Sequence, residues 1–205
     1  FGRGGCVLTR LCKGCQSLQT ATKGVFYFTI MAEIQQPQFI KIEKDFSDRI
    51  LGRLAFDFHI YEQVEGRHFS GKKKIIDAII KPKDKSGWKR SDIAFGIEFK
   101  SPTDVFSPSD VSKHIRQAYD YLFTDFDGFG HVPVLMCPFR IPSNYPHDNE
   151  TMWTKRIFSR FGVGEITNYP NKGLSIVFNG DFVIWSEKMK IERGKEWSME
   201  FRNKY

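Results

Sequence analysis

Two short apolar segments, residues 74–80 (KIIDAII) and 91–100 (SDIAFGIEFK), constrain the fold more than any other part of this sequence. The first is short and rich in β-branched residues, which is typical of a strand. The second alternates, and its apolar side consists of Ile93, Phe95, Ile97 and Phe99. A polar stretch, KPKDKSGWKR, lies between them. We therefore predict two antiparallel strands joined by a long connection.

Patterns in the rest of the chain predict helices mixed with strands. Apolar residues at steps of three and four predict a helix over residues 37–58. Ser107, Pro108 and Asp110 are typical of a helix start, and they predict a helix over residues 107–123. Further elements are predicted as a strand at 131–139, a helix at 149–161 and strands at 164–169, 174–178 and 182–186, the last two joined by an Asn-Gly turn. This order predicts a mixed α/β (α+β) domain with a central mixed sheet flanked by helices.

The two ends of the chain differ from the middle. We interpret residues 1–30 as a non-native or disordered leader, residues 31–186 as the folded domain and residues 187–205 as a charged tail. The leader holds three of the four cysteines. Cys6, Cys12 and Cys15 are spaced either as ligands of zinc or an iron–sulfur cluster or as incidental thiols. Four cysteines in 205 residues do not make a disulfide scaffold, so we expect a cytoplasmic protein.

Acidic and basic side chains fall within the two predicted strands. Glu98 and Lys100 are two residues apart, so they share one face, and Asp77 can lie on the same face if the strands pair in register. The two carboxylates and the Phe99 backbone carbonyl are oxygen donors of the kind that hold Mg²⁺. The metal would acidify a water, and Lys100 would orient that water or balance phosphate charge. The alternatives are a buried Asp77–Lys ion pair and a solvated sheet face carrying Glu98 and Lys100.

These residues resemble the PD-(D/E)XK nuclease superfamily, which has the restriction-endonuclease-like fold. The matching pieces are IIDAII with Asp77, IEFK with Glu98 and Lys100, and the Q-x3-Y pattern of Gln117 and Tyr121 in QAYDY, as in RecB-like and phage-exonuclease-like branches. The chain has Ile where the family often has Pro before the Asp. The resemblance implies metal binding by the Asp and the Glu and a catalytic Lys.

The resemblance also implies a further acid on the first helix, and we expect Glu43 to assist in holding the metal, with Asp48 as the next choice. A structural interpretation remains for these helix residues. Glu43 can be a solvated acid, and Gln117 and Tyr121 can be polar edge residues of an amphipathic helix.

The predicted connection between the strands is strongly basic. Its candidate nucleic-acid contacts, together with two residues of the following helix, are Lys72, Lys73, Lys74, Lys81, Lys83, Lys85, Trp88, Lys89, Arg90, Lys113 and Arg116. We expect Trp88 to stack on an unpaired base, although a solvated basic loop is the alternative. The whole chain is +7, but the leader has four basic residues and no acid. The remainder therefore has 27 basic and 24 acidic residues, only +3.

We therefore expect a Mg²⁺-dependent deoxyribonuclease, in which Mn²⁺ can substitute, acting on DNA in a bacterial or phage-infected cytoplasm. The alternative is an inactive nuclease-fold module that binds nucleic acid or a protein. A coincidental motif in an unrelated enzyme finds no support, since no Gly-rich phosphate loop or nucleophile elbow is present. No apolar run approaches the roughly 20 residues of a membrane span, and a homo-oligomer is possible.

Overall fold

A nine-stranded sheet forms the framework of residues 43–101, 108–138 and 149–197, the part of the chain that this computed structural model describes. The strands are β1 (Phe58–His68), β2 (Lys73–Pro82), β3 (Phe95–Phe99), β4 (Thr124–Phe126), β5 (Val134–Cys137), β6 (Val163–Tyr169), β7 (Gly173–Phe178), β8 (Phe182–Ser186) and β9 (Lys190–Ile191). Their order across the sheet is β4-β1-β2-β3-β5-β6-β7-β8-β9.

The sheet is mixed, as predicted. β3 pairs with β5 and β5 with β6 in parallel, while every other neighbouring pair is antiparallel. The predicted antiparallel pairing of the two apolar segments is confirmed by the register of Ala78 with Ile97 and Ile80 with Phe95. The carboxyl ends of the parallel strands β3 and β5 lie at the same edge, where Phe99 pairs with Cys137.

Helices cover both faces of this sheet. Helix α1, described over residues 43–54, packs Ile50, Leu51 and Leu54 into a cluster that contains Phe95 and Phe99. Helices α2 (Pro108–Leu122) and α3 (Asn149–Arg160) lie on the other face, with Met136 and Val163. None of the described helices is long and apolar enough to span a bilayer.

The alternation predicted for residues 93–99 is confirmed. Ile93, Phe95, Ile97 and Phe99 belong to the cluster under α1, whereas Ala94 belongs to the cluster under α2. All five residues of β3 are buried. Helices on both faces exclude water from the strand, so a charged side chain on β3 needs partners.

Several predicted boundaries are wrong. The first helix was predicted to reach Phe58, but helical residues end at 54 and Phe58 begins β1. Strand β1 carries no regular apolar pattern, because its residues, FHIYEQVEGRH, are mostly exposed and polar. It is held instead by its backbone pairing with β2. The short strands β4 and β9 were also missed, and the strands predicted at 91–100 and 131–139 are shorter in the structure.

The turn between β7 and β8 is formed as predicted. Asn179 has φ of 55° and Gly180 of 82°, and Phe178 pairs with Phe182 across the turn. Consecutive positive φ angles suit an Asn-Gly sequence because both residues tolerate the left-handed region. The dipeptide therefore sets the pairing next to the turn, and a shift between Ile176 and Val177 changes the register beyond it.

The C-terminal segment does not begin as a tail at residue 187. Strand β9 pairs with β8, and the ring of Trp197 lies 4.6 Å from that of Phe178 and 5.4 Å from that of Phe95. These aromatic contacts extend the core under α1 to Trp197. Residues 1–42, with the predicted leader and its three cysteines, and residues 198–205 lie outside the described residues.

Candidate active site

Asp77 lies where the pairing of β2 and β3 stops. The last paired residues are Ala78 and Ile97, and beyond them the Phe99 amide donates to Asp77 Oδ2 at 2.8 Å. The alternation of β2 changes here, because Ile76 packs in the cluster under α2 and Ala78, two residues on, in the cluster under α1. The Asp77 carboxylate thus fills the gap between two diverging strands.

Glu98 lies beside this gap on the α2 side of β3. Its residue surface is only 3% exposed. Oε1 accepts hydrogen bonds from Lys100 Nζ at 2.5 Å and from Gln117 Nε2 at 2.6 Å. Oε2 is buried and has no hydrogen-bond partner among the described residues. One oxygen of this carboxylate therefore accepts two hydrogen bonds, and the other is buried without a donor among the described residues.

The electrostatics of Glu98 reflect this environment. Its pKa is raised to about 7, first by burial and second by the negative charge of Asp77. The positive charge of Lys100, its hydrogen bond and the nearby Tyr121 hydroxyl act in the opposite direction. The Asp77 charge thus acts directly on the Glu98 carboxylate.

Helix α2 supplies the predicted Gln and Tyr to the same site. Gln117 and Tyr121 are four residues apart on one face of the helix. Gln117 Nε2 lies 3.0 Å from the Tyr121 hydroxyl, which donates to the Ile75 carbonyl at 2.9 Å. Burial and the nearby Glu98 carboxylate raise the pKa of Tyr121, so its hydroxyl stays protonated. Gln117 therefore contacts Glu98, and Tyr121 contacts β2. Neither is a solvated edge residue of the helix.

The donor set is compatible with a divalent cation. Asp77, Glu98 and the Phe99 carbonyl offer oxygen ligands, and Mg²⁺ commonly binds through one or two carboxylates while keeping waters. A cation would provide a partner for Oε2. It would also offset the negative charge of Asp77, which together with burial raises the Glu98 pKa. Within residues 43–101, 108–138 and 149–197, no group of three or more His, Cys, Asp or Glu side chains is placed for metal binding. The candidate site therefore rests on two carboxylates.

Glu43, the acid expected to assist in holding the metal, lies on α1. Glu43 is half-buried in α1, and the Phe46 ring, three residues along, lies 6.3 Å from the ring of Phe99. Helix α1 thus approaches β3 at the residue between Glu98 and Lys100, from the opposite face of the sheet. Asp48, the next choice, is paired with Lys44 at 3.1 Å.

Trp88 is not available as a base-stacking residue. It is buried in the core under α1, where its ring lies 5.5 Å from that of Phe95 and 6.5 Å from that of Phe58. The polar residues around it gave no sign of this packing, because the aromatic partners lie on other strands. The base-stacking role predicted for Trp88 is therefore replaced by a structural one.

The basic residues around Trp88 have mixed surroundings. Some are paired: Lys73 with Glu65, Lys74 with Asp120, and Arg90 with Asp92. Lys83 donates to the Ala55 carbonyl at 2.6 Å. Lys81 is half-buried, whereas Lys72, Lys85, Lys89, Lys113 and Arg116 are exposed, as are Lys73, Lys83 and Arg90. The exposed members are spread over β2, its connection to β3 and α2, so they do not form one continuous loop surface.

Two features of the α2–α3 face were not predicted as functional. Lys155 of α3 binds both oxygens of buried Glu165 at 2.9 Å, and Glu165 is in register with Met136 and hence with Glu98. Trp153, Ile157 and Phe161 are largely exposed. Phe158 packs instead against the core under α2. The four-residue spacing of the three exposed residues, from which Phe158 is offset, was the available signal.

The candidate site thus combines a coupled carboxylate pair, a lysine and a helix-borne Gln and Tyr at one edge of the sheet. Oxygen donors next to an amine are the groups that a site for a cation and a phosphate would need. Comparison of the chain with known proteins finds no matching family, no similar curated protein and no similar solved structure.

Proposed function

We propose that this protein is a Mg²⁺-dependent nuclease that hydrolyses DNA phosphodiester bonds. The observation that carries the proposal is the Glu98 carboxylate, buried and coupled to Asp77, with Oε2 unpartnered among the described residues. A buried carboxylate normally finds hydrogen-bond partners for both oxygens, and an exception calls for a functional reason. A cation shared with Asp77 is the simplest such reason, since carboxylates ordinarily bind divalent ions.

Each residue of the site has a distinct task under this proposal. Asp77, Glu98 and the Phe99 carbonyl hold the ion, which when bound supplies an acidified water and offsets charge on the phosphoryl oxygens. Lys100 Nζ, 2.5 Å from Glu98 Oε1, holds a positive charge where the phosphate would approach. Gln117 orients Glu98 through its 2.6 Å hydrogen bond. Tyr121 fixes Gln117 against β2.

We further propose that the fold is restriction-endonuclease-like. In support, the order α1, β2, β3, α2, β5 follows the order that the resemblance implies, with motif residues on β2 and β3. Strands β1 and β4 are additional, and β1 pairs with both β2 and β4. They lengthen the sheet on the side away from β5, without separating Asp77 from Glu98.

The test is cleavage of linear, circular single-stranded and branched DNA by the full chain, with Mg²⁺, Mn²⁺ or EDTA. We expect metal-dependent cleavage that falls by at least about 100-fold in Asp77→Ala and Lys100→Ala. Asp120→Asn is the matched control, because Asp120 is a half-buried acid paired with Lys74 on the same face. Asp120→Asn should cleave like the wild type. Cleavage by Asp77→Ala at the wild-type rate would refute the proposal.

A second candidate function is an inactive nuclease-fold module that binds nucleic acid or a protein partner. The direct ion pair between Lys100 and Glu98 favours it, because Lys100 already compensates part of the Glu98 charge. The two functions differ in metal dependence. An inactive module would bind DNA equally in Mg²⁺ and EDTA, with no cleavage and no effect of Asp77→Ala.

A further inference from the structure

The outer side of α3 carries an exposed apolar stripe. Trp153, Ile157 and Phe161 are spaced by four residues, and they are 61%, 52% and 53% exposed. With Arg156, Arg160 and Asn179 they line an open depression of about 780 Å³. These six residues are called the α3 aromatic surface. Large apolar side chains grouped in this way commonly mark a binding surface.

The charge of the α3 aromatic surface identifies what it can bind. Its two ionisable residues, Arg156 and Arg160, are both basic, and none of the described residues lining the depression is acidic. The Arg156 guanidinium carbon lies 5.8 Å from the centre of the Trp153 ring. Aromatic rings interleaved with guanidinium groups are the elements that bind single-stranded nucleic acid, through base stacking and phosphate contacts.

Two other occupants fit less well. A second copy of this chain in a two-fold contact would bring the same surface against itself, placing arginines against arginines without an acid to pair them. A perfect duplex keeps its bases stacked within the helix, so it presents no free base face to Trp153 or Phe161. The surface fits unpaired bases on a phosphate backbone.

The α3 aromatic surface lies on the same face of the sheet as Gln117, Tyr121 and the candidate active site. Lys155 of α3 binds Glu165, which is separated from Glu98 by one intervening strand residue, Met136. Two strand spacings put the backbones of Glu98 and Glu165 about 10 Å apart. Helix α3 is therefore held against the strand two positions from the one that carries Glu98.

We propose that the α3 aromatic surface binds unpaired bases, so that the protein takes nucleic acid with a single-stranded region. As a statement about substrate class, this rests on the proposed nuclease function. As a statement about binding, it stands on Trp153, Phe161 and the two arginines alone.

The experiment measures fluorescence anisotropy of labelled oligo(dT) of about 15 nucleotides, and of a duplex of the same length, with the full chain in EDTA. Trp153→Ala should weaken oligo(dT) binding by about 10- to 100-fold, the loss typical of one base stack. Arg160→Ala should weaken it and flatten its salt dependence. Phe56→Ala, at an 80% exposed aromatic elsewhere on the surface, is the matched control and should bind as the wild type does.

Because the substituted side chains are exposed, these variants should unfold at the wild-type temperature, and that measurement accompanies the binding data. Equal oligo(dT) binding by Trp153→Ala and the wild type overturns the proposal. An equal loss of duplex binding in Trp153→Ala also overturns it. A change in the sedimentation of Trp153→Ala without a change in its oligo(dT) binding overturns it too, and would assign the surface to contact with a second copy of the chain. Oligo(dT) binding by a wild-type protein that cleaves no DNA with Mg²⁺ or Mn²⁺ would sustain this inference while refuting the nuclease.

Discussion

The Phe99 amide donates a hydrogen bond to the Asp77 carboxylate at 2.8 Å, in the place where the β2–β3 ladder would otherwise continue. This contact binds the acid of one motif strand to the backbone of the other. It places Asp77 beside Glu98, the residue preceding Phe99, and after burial the negative charge of Asp77 is the second cause of the raised Glu98 pKa. The hydrogen bond that closes the end of the strand pairing therefore also holds the two carboxylates next to each other.

Replacing Asp77 by asparagine separates its charge from its hydrogen bond. The side-chain oxygen of the introduced amide can still accept from Phe99, but the charge that raises the Glu98 pKa is removed. We expect the Glu98 pKa, about 7 in the wild type, to be lower in this variant. NMR titration of the side-chain carboxyl carbon in both proteins measures the difference. Asp120→Asn serves as the control. An unchanged Glu98 pKa in Asp77→Asn would show that the carboxylates are not coupled.

The raised Glu98 pKa makes stability depend on pH. Between its ordinary value of 4.5 and about 7, the folded protein binds a proton at Glu98 that the unfolded chain does not. The unfolding free energy therefore decreases as pH rises through this window, by up to about 3 kcal/mol. Urea unfolding at several pH values should show this decrease, and Glu98→Gln should diminish it. Glu165, whose pKa burial also raises, retains its own contribution in that variant.

A divalent cation should reverse this destabilisation near neutral pH. Binding to Asp77 and Glu98 in the folded state alone stabilises the protein, by about 2.7 kcal/mol at a hundredfold excess over the dissociation constant. We expect Mg²⁺ or Mn²⁺ to raise the melting temperature in calorimetry at about pH 7.5, above the raised Glu98 pKa. Asp77→Ala should show no such increase. An equal increase in both proteins would locate the ion elsewhere.

The Gln117 and Tyr121 side chains should affect activity through the position of Glu98. Tyr121→Phe removes the hydrogen bond to Ile75 but keeps the buried ring, so a stability loss of about 1 kcal/mol is expected. Gln117→Ala removes one of the two donors to Glu98 Oε1. We expect each variant to remain folded and to lower kcat by about tenfold at unchanged DNA affinity. A pH profile identical to that of the wild type in Gln117→Ala would contradict its positioning role.

Alanine substitution should lower the stability much more at Trp88 than at Lys85, although both residues lie in the β2–β3 connection. Trp88→Ala removes a buried ring packed against Phe58 and Phe95, at a cost of about 3–5 kcal/mol in unfolding free energy. Lys85 is exposed, so Lys85→Ala should change stability by less than about 0.5 kcal/mol. Urea denaturation measures both. A small loss for Trp88→Ala would mean that this ring is not part of the core.

The sequence by itself determined the mixed α/β class, the pairing of the two motif strands and the alternation through Phe95, Ile97 and Phe99. These features follow from local periodicity, which fixes which side chains must leave water whatever their partners are. The helix carrying Gln117 and Tyr121 was predictable for the same reason, since its start signal and its spacing are both local. No comparable signal marked β1, whose largely exposed residues lack a regular apolar pattern.

Only the tertiary structure decided the surroundings of individual side chains. Burial of Trp88 depends on Phe58 and Phe95, and exposure of Trp153 depends on how α3 packs against the sheet. The unpartnered Glu98 oxygen likewise arises from three described elements that meet, namely β2, β3 and α2. Periodicity specifies which face of an element is apolar, but exposure and pKa depend on contacts between elements that are far apart in sequence.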